Sequence, residues 1–201
     1  MKFSITQNGK ELSKRKYNWD ENTQTLSTNE NNLILNFSKY NGITFKTGHS
    51  CTFKTGYSCT FKTGYSCIFK TGHYCTFKTN NNCTFNTGSN CIFNTGSDCT
   101  FNTGYSCTFK TGHYCTFNTG RNCIFDTGSN CTFTCEKKCV CIRRDIYEVI
   151  EIPENKTIKL NEYGVKGYSF QLQKRKIVIG GKEIEMSEES YQNLKESLIN
   201  P

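Results

Sequence analysis

The chain lacks several features that would assign it to a familiar class of protein. Alanine is absent from the 201 residues, and only 2 are proline. No run of about 20 apolar residues occurs that could form a transmembrane helix. The first residues, MKFSITQNGKEL, contain no apolar stretch of the length that a signal peptide needs. We therefore expect an intracellular protein that is not secreted and has no membrane partner.

Motifs of common enzyme classes are also missing. No nucleotide-binding glycine loop, Ser-centred nucleophile elbow or paired-carboxylate site is present. The three histidines, His49, His73 and His113, each follow a glycine at a position that tyrosine fills elsewhere, and no acid or nucleophile recurs beside them. These absences predict a non-enzymatic protein without a cofactor or a small-molecule substrate.

What the chain does have is a repeat of eight residues. The unit reads [Cys/Ile/Leu]-[Thr/Ile]-Phe-[Lys/Asn]-Thr-Gly-x-x and starts 13 times between residues 35 and 131, with Leu35 and Ile43 in place of the first two cysteines. A fixed short period is typical of folds that stack identical units along one axis. The periodic cysteines are Cys51, Cys59, Cys67, Cys75, Cys83, Cys91, Cys99, Cys107, Cys115, Cys123 and Cys131.

Alternation within each unit predicts a β-strand with one buried face. Cys and Phe point to one side of the strand, and the intervening Thr and Lys or Asn point to the other. The Thr-Gly-x-x segment predicts a tight corner in which Gly supplies a positive φ, and Asn80, which replaces Gly once, tolerates that conformation next best. The repeat thus predicts an all-β fold, a β-solenoid whose turns lie about 4.8 Å apart.

The number of units in one turn is open between two and three. Two units, or 16 residues, would form a flattened coil of two parallel sheets in which each Cys faces a Phe across the thin core. Three units would form a triangular prism, and the outward Ile68, Ile92 and Ile124 fit neither count cleanly. We favour two units because small side chains would then meet large ones.

We interpret the periodic cysteines as small apolar fillers of the core, since Leu35 and Ile43 occupy the same position. Disulfides or metal binding are the alternatives. The weaker metal hypothesis is a zinc set that combines three thiols outside the simple period with the last periodic cysteine. Its spacing lacks Cys-x-x-Cys pairs, and the alternation of two of its members already fits a core strand. That set is Cys131, Cys135, Cys139 and Cys141.

Terminal segments are expected to cap the open edges of the sheets. Residues 1–34 are predicted to form a β cap with an Asn-Gly hairpin, and residues 35–134 form the solenoid. Residues 135–201 are predicted to form a small α+β domain with a turn at Gly180-Gly181 and a final helix N-capped by Ser187.

The net charge of +8 is concentrated in the repeat, where residues 43–134 carry seven Lys or Arg against two Asp or Glu. With two units per turn, three of the outward lysines would lie on one sheet about 5 Å apart in succession. Such a stripe predicts polyanion or nucleic-acid binding, with corner tyrosines available for stacking. The alternative is ordinary solubilising decoration. The candidate residues are Lys46, Lys54, Lys62, Lys70 and Lys78.

Three stretches together resemble octapeptide-repeat proteins of giant DNA viruses of protists, including mimivirus-like and related groups. They are the run CTFKTGYSCTF, the segment WDENTQTL and the stretch CVCIRRDIYEVIEIPENKTIKLNEYGVKGY. The composition, biased toward residues with AT-rich codons, agrees with this resemblance. It implies a viral origin, a solenoid architecture and a location in the host cytoplasm or the virion, and it brings no catalytic residues.

We therefore expect a structural or protein-interaction scaffold that self-associates or binds a protein partner. The alternative function is binding of a polyanion or nucleic acid by the lysine columns.

Overall fold

The structure is a computed structural model and describes residues 3–171, 174–179 and 182–199. The chain divides into two compact units, of which the first ends at Ser169 and the second begins at Phe170. The described elements are β1 (Ser4–Gln7), β2 (Lys10–Glu11), a 3-10 turn (Lys14–Lys16), β3 (Asn18–Asp20), β4 (Thr25–Ser27), β5 (Leu33–Phe37), β6 (Thr44–Lys46), β7 (Thr52–Thr55), β8 (Thr60–Lys62), β9 (Ile68–Lys70), β10 (Thr76–Lys78), β11 (Thr84–Asn86), β12 (Ile92–Asn94), β13 (Thr100–Thr103), β14 (Thr108–Lys110), β15 (Thr116–Thr119), β16 (Ile124–Thr127), β17 (Thr132–Cys135), β18 (Cys139–Arg143), β19 (Glu148–Ile152), β20 (Thr157–Leu160), β21 (Tyr168–Phe170), β22 (Lys174–Ile179), β23 (Lys182–Ser187) and α1 (Glu188–Ile199).

The repeat strands alternate between two sheets. Sheet A has 11 strands in the order β2-β1-β5-β7-β9-β11-β13-β15-β17-β20-β21. Sheet B has 10 strands in the order β19-β18-β16-β14-β12-β10-β8-β6-β4-β3. In sheet B, β10 pairs in parallel with β8 and β12, which places Phe77 beside Phe61 and Phe93, each 16 residues away. Two units therefore form one turn, as the repeat predicts, and the all-β solenoid is confirmed.

Phenylalanine rings fill the centre of the solenoid. Phe93 stacks on Phe109 of the next turn, with ring centroids 4.8 Å apart and planes inclined by 3°. It also meets Phe101 of the opposite sheet edge to face, at 5.2 Å and 79°. The prediction that each Cys faces a Phe is therefore wrong. Each repeat unit has three inward positions, which Cys, Phe and Thr occupy in that order. Because the chain runs in opposite directions on the two sheets, the middle residue, Phe, lies opposite the Phe of the next unit.

Threonine occupies the third inward position. Thr55, Thr79 and Thr103 are buried together with the Cys and Phe side chains. Across the core, this Thr lies beside the Cys of the following strand, as Thr55 lies beside Cys59. Its hydroxyl donates to the next carbonyl oxygen, at 3.4 Å from Thr103 Oγ1 to Gly104 O. The core thus contains a central column of rings flanked on both sides by Cys and Thr.

The corners use a different residue for the positive φ than the repeat predicts. The residue directly before each periodic Cys has a positive φ, which is 57° at Ser58, 59° at Tyr74 and 58° at Asn82. The repeat glycines and Asn80 lie outside the left-handed region. The prediction that Gly supplies the positive φ is therefore wrong.

Glycine is favoured at this corner position because successive turns approach closely there. The amide of Gly72 donates to the carbonyl oxygen of Gly56 at 2.9 Å, and a Cβ on Gly72 would lie 3.1 Å from that oxygen. Asn80 occupies one of these positions, and its amide still donates to the carbonyl oxygen of Gly64, at 3.4 Å. The Tyr65 ring stacks on His49 of the turn before, with centroids 4.5 Å apart.

Antiparallel strands close both ends of the stacked sheets. At the N terminus, β1 and β2 form a hairpin in which Asn8 and Gly9 have φ of 51° and 76°, which confirms the predicted Asn-Gly turn. At the other end, β19 pairs with β18 and β20 pairs with β17 in antiparallel fashion. The sheets therefore continue past residue 134, and the division between compact units comes at Ser169.

The second unit contains a hairpin and a helix. Strands β22 and β23 pair in antiparallel fashion, and α1 follows. The Ser187 hydroxyl oxygen accepts a hydrogen bond from the amide of Ser190 at 3.1 Å, so the predicted N-cap is confirmed. The predicted turn at Gly180-Gly181 lies outside the described residues. None of the helices in the described part of the chain is long and apolar enough to cross a membrane.

Candidate polyanion interface

Stacking of the turns divides the five candidate lysines between the two sheets. On sheet B, Lys46, Lys62 and Lys78 are successive partners in one outward column. On sheet A, Lys54 and Lys70 are partners in the equivalent column. All five side chains are exposed. The prediction that three lysines share a sheet is confirmed, but the five do not form one continuous stripe.

The lysine column of sheet B carries the higher density of charge. Neighbouring strands of a sheet are about 4.8 Å apart, so the backbones of its three lysines span about 10 Å along the direction of the solenoid axis. The sheet A column changes to Asn86 immediately after Lys70, and Asn continues through the next two turns. Only sheet B therefore offers three stacked cations.

Carboxylates do not neutralise this column. In the part of the chain that the structure describes, no ion pair within 4.0 Å involves Lys46, Lys62 or Lys78. At the far end of the same column, Asp126 forms an ion pair with Arg144 at 2.8 Å. Like charges at neighbouring positions in a sheet repel, so a bound anion would stabilise the three lysines.

The N-terminal cap extends the basic surface, a feature that the repeat did not reveal. Residues 27–29 line a shallow depression together with Lys46 and Lys62. The same residues line a second depression with Arg15 and Lys16 of the 3-10 turn. The sequence signal was the basic run KRK at residues 14–16, whose distance from the lysine column becomes short only when β4 pairs with β6.

Corner side chains hydrogen-bond from one turn to the next. His73 Nδ1 accepts a hydrogen bond from the Ser89 amide at 2.9 Å, and His113 Nδ1 accepts one from the Ser129 amide at 3.0 Å. His49 instead stacks on Tyr65. The three histidines thus have structural contacts. The side chain of Tyr65, three residues after Lys62, is 47% exposed.

The thiols form two buried columns on either side of the phenylalanine rings. All 14 cysteines are free and buried. The thiols of Cys107 and Cys75, together with burial, raise the pKa of Cys91 above its ordinary value. Burial raises the pKa of Cys141 to about 12. Cys91 and Cys141 are therefore protonated at neutral pH, and the thiolate, which is the reactive form, is disfavoured at these two positions.

The four thiols of the zinc hypothesis occupy inward positions of the last turn. Cys131 continues one thiol column, Cys139 continues the other, and Cys141 takes the position of a Phe. Cys135 replaces the inward Thr and lies beside Cys139. Over residues 3–171, 174–179 and 182–199, no group of three or more His, Cys, Asp or Glu side chains is arranged to hold a metal ion.

A buried ion pair joins the end of the solenoid to the segment that follows it. The Arg143 side chain is fully buried, and its Nη2 lies 2.6 Å from Asp145 Oδ2. Arg143 also donates to the carbonyl oxygens of Glu162 and Val165. Burial opposes ionisation of Asp145, but the Gly164 amide and the Arg143 guanidinium outweigh it and lower its pKa. This pair could not be predicted from the sequence, because an Arg two residues before an Asp is ordinary surface composition.

Comparison with protein-family models, with curated proteins and with solved structures found no match to the chain.

Proposed function

We propose that the protein is a non-enzymatic scaffold that presents regular columns of side chains to a protein partner or to a second copy of itself. The observation that carries the proposal is that the reactive groups are separated from the surface. The thiols and rings are buried, whereas two outward positions per strand repeat along the axis. Interlocked rings and parallel ladders make those columns rigid, which suits docking of an extended surface.

Cross-linking mass spectrometry in the native source tests the scaffold. An amine-reactive reagent should join the outward lysines of one sheet to a single partner chain or to a second copy of the protein. Reproducible links should therefore come mainly from one of two sets, either Lys54 and Lys70 of sheet A or Lys46, Lys62 and Lys78 of sheet B. A monomer whose lysines give only links within the chain would contradict the proposal.

A viral origin is part of this proposal and rests on the resemblance of the repeat and of residues 139–168 to giant-virus proteins. Proteomics of purified particles and of infected host cytoplasm is the direct test. Peptides of the chain in either fraction would support the origin. Their absence from both, with other viral proteins detected, would contradict it.

A second candidate function, polyanion binding, is favoured by the stacked lysines of sheet B, for which the described residues provide no carboxylate partner. The protein should be retained on heparin at low salt and elute as salt rises, because counterion release weakens such binding. The variant with Lys46→Asn, Lys62→Asn and Lys78→Asn should elute earlier. Equal elution of the two proteins would exclude this column as the binding surface.

A further inference from the structure

We infer that single-stranded nucleic acid binds along the axis of the solenoid on sheet B, from Arg15 of the cap to Lys78. This inference rests on the polyanion-binding candidate and specifies its ligand and its path. Three features carry it: the uncompensated lysine column, the cap that continues the column, and an exposed aromatic side chain at the corner beside it.

The phosphate path begins in the cap. Strand β4 lies between the 3-10 turn and the lysine column, because Ser27 partners Asn18 on one side and Lys46 on the other. The hydroxyl of Thr28 donates to the carbonyl oxygen of Lys16 at 2.7 Å and fixes the turn against this strand. Cap and column therefore form one continuous surface.

Arg15 is the cap cation available to a ligand. Lys16 forms an ion pair with Glu30 at 3.2 Å, and the carboxylate reduces the attraction of Lys16 for a second anion. Arg15 is exposed, and in the described residues it has no ion-pair partner within 4.0 Å. Residues 27–29 lie between Arg15 and the column of Lys46, Lys62 and Lys78, so the four cations share one surface. A single row of lysines matches one phosphate backbone better than the two backbones of a duplex.

The aromatic contribution distinguishes nucleic acid from other polyanions. His49 and Tyr65 form a stacked pair at the corner that directly follows Lys46 and Lys62. The Tyr65 side chain is still 47% exposed, and an unpaired base can stack on its exposed surface. Stacking of bases on aromatic side chains is independent of sequence and is characteristic of single-strand binding. A duplex, whose bases are already stacked, would not gain this contact.

Sheet A provides a matched control surface on the same molecule. It has two stacked lysines, Lys54 and Lys70, and their column continues to Asn36 at the cap end. Tyr57 lies at the corner that follows Lys54 and is 54% exposed. Substitutions there remove similar groups without affecting the inferred path.

Fluorescence anisotropy with a labelled oligothymidylate of about 12 nucleotides tests the inference. The triple lysine variant should bind more weakly, and its plot of log K against log salt should be less steep by about 2, since each single-strand phosphate contact contributes about 0.7. The control variant with Lys54→Asn and Lys70→Asn should bind like the unmodified protein. Asn already occupies both columns at Asn94 and Asn86, so these variants are expected to fold, and their melting curves verify it.

Two further variants separate this inference from general polyanion binding. Tyr65→Ala should lower affinity for the oligothymidylate by about 5-fold to 150-fold, the range for loss of one stacked base, and leave heparin binding unchanged, whereas Tyr57→Ala should change neither. Arg15→Gln should weaken binding of both ligands.

Each alternative outcome has a defined meaning. If the triple variant loses heparin and oligothymidylate equally and Tyr65→Ala loses neither, the polyanion candidate stands and single-strand binding is overturned. Tighter binding of a duplex than of the single strand also overturns the inference. Failure of the unmodified protein to bind any of these ligands at low salt overturns both.

Discussion

The side-chain oxygen of Asn81 accepts a hydrogen bond from the backbone amide of Ser97 in the next turn, at 3.0 Å. A Cβ added to Gly96 would lie 1.8 Å from this same oxygen. The corner thus couples two positions fifteen residues apart in the sequence, because an acceptor in one turn leaves no room for a Cβ on the glycine of the next. Serine and histidine act in the same way, since a Cβ on Gly112 would lie 2.2 Å from Ser97 Oγ.

The coupling predicts different costs for the same substitution at two glycines. Gly112→Ala should destabilise the protein by about 1–3 kcal/mol, because its Cβ meets the Ser97 hydroxyl and displaces the hydrogen bond to the His113 amide. Gly120→Ala should change stability by less than about 1 kcal/mol. The corner of the preceding turn has Tyr105 in place of Ser97, and the backbone atoms nearest to an added Cβ on Gly120 lie 3.2 Å away. Urea unfolding measures both, and equal losses would contradict the coupling.

Removal of a central ring should be among the most damaging changes. Phe93→Ala should cost about 3–5 kcal/mol, because the cavity interrupts stacking with Phe109 and the edge-to-face contact with Phe101. The adjacent Ile92→Thr is the control: Ile92 is 54% exposed and Thr fills that column elsewhere, so the change should stay within about 0.5 kcal/mol. Thermal or urea unfolding of the two variants should separate them clearly.

The thiols should not react while the protein is folded. All 14 are buried, so an aromatic disulfide reagent should titrate none under native, reducing-agent-free conditions and all 14 after denaturation. Native reaction of several thiols would show that the columns lie in water. Prior formation of disulfides would instead lower the number titrated after denaturation.

The buried pair of Arg143 and Asp145 predicts an acid-sensitive contribution to stability. Asp145→Asn should destabilise the protein by about 3–5 kcal/mol at neutral pH, because the buried Arg143 charge loses its nearest carboxylate and keeps only Glu148, 3.7 Å away. The folded-state pKa of Asp145 is lowered from 3.8, so this contribution is present above about pH 4 and is lost as pH falls through the lower folded value. The difference in unfolding free energy between the two proteins should therefore shrink in acid, and a difference that grows would contradict the assignment.

Much of the architecture is readable from the repeat because one eight-residue rule is applied many times. The alternation of Cys and Phe predicts buried strands, and the pairing of Phe77 with Phe61 and Phe93 confirms two units per turn. The details at the corners were not predicted. The repeat predicts Thr in the corner, but the alternation that buries Cys and Phe also buries Thr55. Because Thr is the third inward residue, Phe is the middle one and lies opposite a Phe of the other sheet.

The reason for glycine at the corners could not be predicted from one repeat unit, because it depends on contacts between successive turns. A glycine beside a corner suggests a positive φ, but the residue before Cys has that conformation, and Ser, Asn and Asp at Ser58, Asn82 and Asp98 were the available signal. The lysine column was predictable from register alone. Its continuation to Arg15 was not, because that depends on how β4 pairs with β6.

The register of the coil tests the account most directly, since the buried columns and the lysine path both depend on it. Backbone nuclear Overhauser effects measured on isotope-labelled protein should connect Phe61 with Phe77 and Lys46 with Lys62, partners 16 residues apart in neighbouring parallel strands. Contacts between strands three units apart, such as Phe53 with Phe77, would contradict the two-unit turn and separate the lysines of sheet B.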